Sequence, residues 1–155
     1  MKKYKSYIIS VLIALGVGGL SAFLTKDYMN IYDEIINPPL APPGFVFPIV
    51  WTLLYTLMGI SSAGIYNKII DAQSDTFPLK IYTLQLIVNF FWSIIFFGAR
   101  AYLFAFVWLI LLIILVVWMI VEFNKLDKTA ACLQIPYLVW LLFAAYLNFM
   151  IVILN

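Results

Sequence analysis

Histidine is absent from all 155 residues. Its absence removes imidazole as a metal ligand, a haem ligand or a general base. The single cysteine, Cys132, cannot form a disulfide within one chain and reads as a small apolar residue. Charge is scarce too, with nine Lys and Arg against seven Asp and Glu. All seven carboxylates (Asp27, Asp33, Glu34, Asp71, Asp75, Glu122 and Asp127) fall at the ends of apolar stretches or between them, as do the cations. No ionisable group is left inside an apolar stretch for a proton relay or for ion coupling. Nucleophile and base pairs of the serine, cysteine or paired-carboxylate type are equally lacking.

What the chain does have is apolar length. Hydrophobic residues make up 66% of it, more than one soluble core of this size could hide. Uncharged stretches cover 6–25, 35–67, 81–99, 101–121 and 129–155. About 20 residues at 1.5 Å rise cross a hydrocarbon layer of about 30 Å, so each stretch is long enough to span. The expected fold class is an all-α membrane protein, a five-transmembrane-helix bundle forming one domain over 1–155. Its helices are placed at about 6–25, 45–66, 81–97, 101–121 and 130–154, with a loop at 26–44. The first stretch follows Lys2, Lys3 and Lys5 as a signal peptide would, but it has the length of a span and is read as a retained helix. Seven cations (Lys2, Lys3, Lys5, Lys68, Lys80, Lys125 and Lys128) share the N-terminal side, against Lys26 and Arg100 opposite. This bias predicts an internal N-terminus and an external C-terminus.

Residues 37–48 read NPPLAPPGFVFP, with five prolines in the eleven positions from Pro38 to Pro48. Proline lacks the N–H and fixes φ, so the run can be neither helix nor paired strand. A loop already stiff loses little entropy on covering a ligand. It is read as a lid, with Pro42, Pro43 and Phe45 as its contact residues; the competing reading is a simple connector.

Depth within the spans brings certain residues to one level. At 1.5 Å per residue from the external ends, Trp51, Trp92, Asn148 and Gly19 lie about 8–9 Å deep, with Asn89 and Ala144 about one turn further and Gln85 and Trp140 near ~20 Å. Gln85, Asn89, Trp92 and Phe96 share one helix face, as do Trp140, Ala144 and Asn148. An outward-opening pocket walled by tryptophan, with Trp140 as its floor, is the geometric expectation. The amides read equally as interhelical glue. Trp118 reads as a membrane-interface residue, the fourth helix as facing lipid or a second copy, and Ala14, Gly18 and Ala22 as a close-packing stripe.

Three ordered segments carry a family resemblance: NPPLAPPGFVFPIVWTLLYTLMGIS, LQLIVNFFWSIIFFGAR and PYLVWLLFAAYLN. They resemble the translocator protein family, also called tryptophan-rich sensory proteins or peripheral-type benzodiazepine receptors, in a bacterial-type member. The resemblance implies five helices, a homodimer in the membrane lipid, multi-pass residence in the bacterial plasma membrane, no nucleic-acid partner, and a pocket capped by the first loop. That pocket would bind protoporphyrin IX or a related tetrapyrrole, and isoquinoline carboxamide or benzodiazepine-type drugs. No cofactor is required; porphyrin is ligand or substrate. Some bacterial members promote light-dependent porphyrin breakdown, which gives Trp51 and Trp140 a catalytic role. Trp51, Asn89, Trp92, Trp140, Phe143, Ala144 and Asn148 match the pocket motifs. Alternatives are a ligand sensor or scaffold acting on a partner, and a lipid or porphyrin carrier. Leu40 and Phe45 stand where the family usually has tryptophan, and YLNFMIVILN lacks the tyrosine and basic residue of the animal cholesterol-recognition consensus, so sterol binding through it is not expected.

Overall fold

The computed structural model describes residues 2–26 and 36–155. Its helices are α1 (Lys2–Thr25), α2 (Val46–Ala72), α3 (Phe77–Ser93), α4 (Tyr102–Asn124), α5 (Lys128–Leu133) and α6 (Ile135–Leu154), and the described residues contain no strand. With the α3 extension, and with α5 and α6 in line, five helical spans are long and apolar enough to cross a membrane. Pro136 explains the break between α5 and α6, since it has no N–H for the carbonyl of Cys132 and its ring crowds that turn.

Several helices outrun the charge-defined spans. α2 continues six residues past Tyr66 through Lys68 and Asp71, and α3 starts at Phe77 with Pro78 in its first turn, upstream of Lys80. A charge marks where the chain meets water, whereas a helix ends only where its backbone bonding stops. Asp127 caps α5 by accepting from the Thr129 N–H at 3.0 Å.

At its far end α3 widens into a π-helical turn, Ile94–Gly98, closed by Ala99 N–H donating to the Ile94 carbonyl at 3.0 Å. Such turns are rare and recur at functional sites. Here the widened turn carries Phe96 and Phe97.

α1 and α2 form the most extensive helix pair. A Cβ added at Gly59 would fall 2.5 Å from the Val11 Cα, and one at Gly18 would collide with the edge of the Tyr55 ring. Ala14 is fully buried, and the Ser10 and Ser62 hydroxyls meet at 2.6 Å across the pair. Most of the small-residue stripe of α1 is therefore used inside this chain, and its spacing carries no argument for a dimer. α4 packs against α3 and α6 with Leu109, Leu112, Val116 and Met119, while Leu103, Val107 and Ile114 stay exposed on its other side. Trp108, not singled out from the sequence, donates its indole N–H to the Val88 carbonyl at 2.7 Å and ties α4 to α3. Trp118 is half-exposed and meets Phe77 edge-on at 5.6 Å, near the face that carries the N-terminus.

Candidate ligand-binding site

A cavity of about 380 Å³ opens in the half of the bundle that carries the proline loop. α2 supplies Trp51 and Tyr55, α3 supplies Asn89 and Trp92, and α6 supplies Trp140, Ala144 and Asn148. α1 gives its small face, Gly18, Ser21 and Ala22, and the π-turn gives Phe96 and Phe97. Gly44, Phe47 and Pro48 close the loop side. Order along each helix puts Gly18, Tyr55, Asn89 and Trp140 at the closed end. No charged side chain lies in this wall among the described residues.

The sequence placed five of its residues differently. Gly19 is exposed and off the wall, which Gly18 forms instead. Depth gives a residue's level but not its azimuth, and one residue turns a helix by about 100°. Phe143 stands behind the wall, its ring 5.4 Å from Trp140 and 6.3 Å from Tyr146. Phe45 is not part of the wall and is 69% exposed. Pro42 and Pro43 also lie off the wall; Gly44 is the loop residue that lines it, and Phe47, in the first turn of α2, meets Trp140 edge-on at 5.8 Å. Part of the lid, residues 27–35, falls outside the described residues.

Both asparagines of the wall are engaged with protein. Asn89 Oδ1 accepts from the Tyr55 hydroxyl at 2.9 Å, and its Nδ2 donates to Tyr137 Oη at 2.6 Å. Tyr137 in turn donates to Gln85 Oε1 at 2.7 Å. This buried column joins α2, α3 and α6 beneath the cavity. A carboxamide passes on a hydrogen bond but does not readily pass on a proton, so the column positions groups rather than conducting protons. Asn148 accepts from Trp92 Nε1 at 3.3 Å and donates to the Tyr102 carbonyl at 2.9 Å, holding the Trp92 ring in place. Tyr55 and Tyr137 went unnoticed in the sequence, although each was within reach of its pattern. Tyr55 lies four residues after Trp51 and Tyr137 three before Trp140, both helix-face spacings.

The tryptophans divide by the fate of their N–H. Trp92 is committed to Asn148, whereas the indole N–H groups of Trp51 and Trp140 meet no acceptor among the described residues. Trp51 is further set by Tyr55 at 5.5 Å and Tyr137 at 6.2 Å between ring centroids. The site is thus flat-walled and aromatic, suited to stacking, with two donors to spare and no acid–base machinery.

Relatives match this chain in sequence along most of its length. The sequence profile described as TspO/MBR family matches residues 9–154. The chain is 35% identical over 147 residues to a tryptophan-rich protein TspO of Chlorobaculum tepidum, covering 95% of this chain and 92% of the relative. It is 36% identical over 154 residues to a tryptophan-rich protein TspO of Archaeoglobus fulgidus, covering 96% and 95%. It is also 36% identical over 128 residues to the translocator protein of Ovis aries, covering 82% and 76%. The chain belongs to the TspO/MBR family.

Proposed function

We propose that this membrane protein binds a tetrapyrrole of the protoporphyrin IX type in the tryptophan-walled cavity and promotes its light-dependent conversion. The observation that carries the reading is the wall itself, with Trp51, Trp92 and Trp140 around about 380 Å³ and no charged side chain among them. A flat, apolar macrocycle stacks on such walls, and its carboxylates would stay at the open mouth, where they keep their water. The indoles are the most readily oxidised groups in the wall. On illumination one of them gives an electron to the excited ring, leaving an indole radical cation and a reduced macrocycle. Illuminating the purified protein with protoporphyrin IX, with and without oxygen, tests this. Product that requires both protein and light supports it; stable binding without product leaves a ligand sensor, a reading favoured by the column that ties three spans together below the cavity.

The proline loop serves as the lid, and its tether is specific. Ile36 N–H donates to Asn155 Oδ1 at 3.0 Å, Asn155 Nδ2 donates to the Ile36 carbonyl at 3.1 Å, and the Tyr146 hydroxyl donates to the Pro39 carbonyl at 2.8 Å. The double variant Asn155→Ala, Tyr146→Phe is expected to release bound porphyrin about tenfold faster, or ~1.4 kcal/mol, measured by stopped-flow fluorescence. Unchanged release would show that the tether does not govern exit.

The seven-to-two bias of cations supports an orientation with the N-terminus on the internal side of a plasma membrane and the cavity mouth on the external side. A reporter fused after Asn155 should be external and one fused at the N-terminus internal. The reverse pattern would reject this orientation.

A further inference from the structure

Below the cavity the column ends at Gln85, whose Nε2 makes only a long contact to Met58 Sδ at 4.0 Å, but buried polar groups do not end there. Gln134 is fully buried and neither its Oε1 nor its Nε2 has a partner; the hydroxyl of Tyr82, itself only 7% exposed, makes no hydrogen bond of good geometry, Ser62 lying nearest to it. Tyr82 precedes Gln85 by three residues on α3, and Gln134 precedes Tyr137 by three on the fifth span. The two spans run in the same direction, so each step moves about 4.5 Å toward the N-terminal face while keeping to one side of its helix. Gln85 and Tyr137 are bonded to one another at 2.7 Å. The unpartnered groups therefore flank the continuation of that bonded pair.

Ser62 is the hydroxyl that approaches Tyr82, but its bonds are already committed elsewhere. Ser61 donates to the Ala130 carbonyl at 2.7 Å, while Ser62 is held by Ser10 at 2.6 Å and by the Gly59 carbonyl at 3.2 Å. A buried carboxamide with both ends unpaired and a buried phenol without a partner are each costly, and such groups in folded proteins are met by internal water. An ion does not fit, because neutral amides and hydroxyls would not offset its lost hydration.

We propose that Tyr82, Gln134 and the Gln85–Tyr137 pair form an internal water-binding site, holding about one or two molecules. The water extends the column by one turn and gives it a fixed lower end. It thereby helps set where Tyr137 stands under Asn89 and Trp51. This inference does not depend on which ligand occupies the cavity.

X-ray hydroxyl-radical footprinting of the full chain in lipid nanodiscs tests it, since radicals formed from internal water oxidise the side chains beside that water. Phe123 is the internal control: it is fully buried, and its ring lies 6.4 Å from that of Tyr82. After correction for intrinsic reactivity, Tyr82 should be labelled at least about threefold faster than Phe123, and Gln134→Leu should remove most of that excess while Phe123 is unchanged. If Gln134→Leu does not fold, Tyr82→Phe keeps the ring and removes the hydroxyl, and labelling at Tyr137 should fall instead. Equal labelling of Tyr82 and Phe123 in the unaltered protein, or excess labelling that persists in the folded variant, overturns the site.

Discussion

Gly59→Ala is expected to undo the docking of α1 on α2 and to lower stability by about 3 kcal/mol, the upper end of ordinary overpacking. The added methyl would meet the Val11 Cα at 2.5 Å and the Val11 nitrogen at 2.8 Å, and backbone cannot step aside as a side chain can. α1 as a whole must move. Because α1 also forms one wall of the cavity through Gly18, Ser21 and Ala22, porphyrin affinity should fall with it. Gly16→Ala is the matched control, since a Cβ there meets nothing within 4 Å. It should be neutral or gain up to about 1 kcal/mol from helix propensity. Thermal unfolding in one detergent measures both, and a Gly59→Ala protein as stable as Gly16→Ala would refute the packing argument.

Replacing Trp51 or Trp140 with phenylalanine should separate binding from chemistry. Each substitution keeps an aromatic surface but removes the readily oxidised indole and an N–H that meets no acceptor among the described residues. Porphyrin affinity is expected to stay within about tenfold, or ~1.4 kcal/mol, while light-dependent conversion drops sharply. Trp118→Phe should match the unaltered protein, because Trp118 lies outside the cavity wall against Phe77. Were all three variants to convert porphyrin at the parental rate, the tryptophans would be walls only, and the sensor reading would replace the enzymatic one. Trp92→Phe is a less clean probe: its N–H bonds Asn148, so its loss also frees a buried amide that fixes α3 to α6.

The amides illustrate how two readings of one residue can both leave a mark. From the sequence, Asn89 and Asn148 fit interhelical glue and ligand contact alike. In the structure each bridges helices or their ends through two hydrogen bonds and also lines the cavity. Their bonding capacity is partly used before any ligand arrives. That leaves the N–H groups of Trp51 and Trp140, which meet no acceptor among the described residues, as the more available donors.

Charge spacing and apolar length determined, from the sequence alone, that the chain is helical and has five spans, because an unpaired charge or backbone group is costly in hydrocarbon. Helical periodicity likewise put Asn89, Trp92 and Phe96 on one face and Trp140, Ala144 and Asn148 on another. It did not say which neighbour each face meets. Azimuth is settled by packing between helices, which is why Gly18 rather than Gly19 reaches the cavity and why Phe47 rather than Phe45 meets Trp140. The π-turn that carries Phe96 and Phe97 has no signature in residue spacing, since it arises from a local shift of backbone bonding. Hydrogen bonds between residues as far apart as Gln85 and Tyr137 exist only once the spans are assembled. Each partner is an ordinary residue on its own helix, and only tertiary packing removes the alternatives that water or backbone would otherwise offer it.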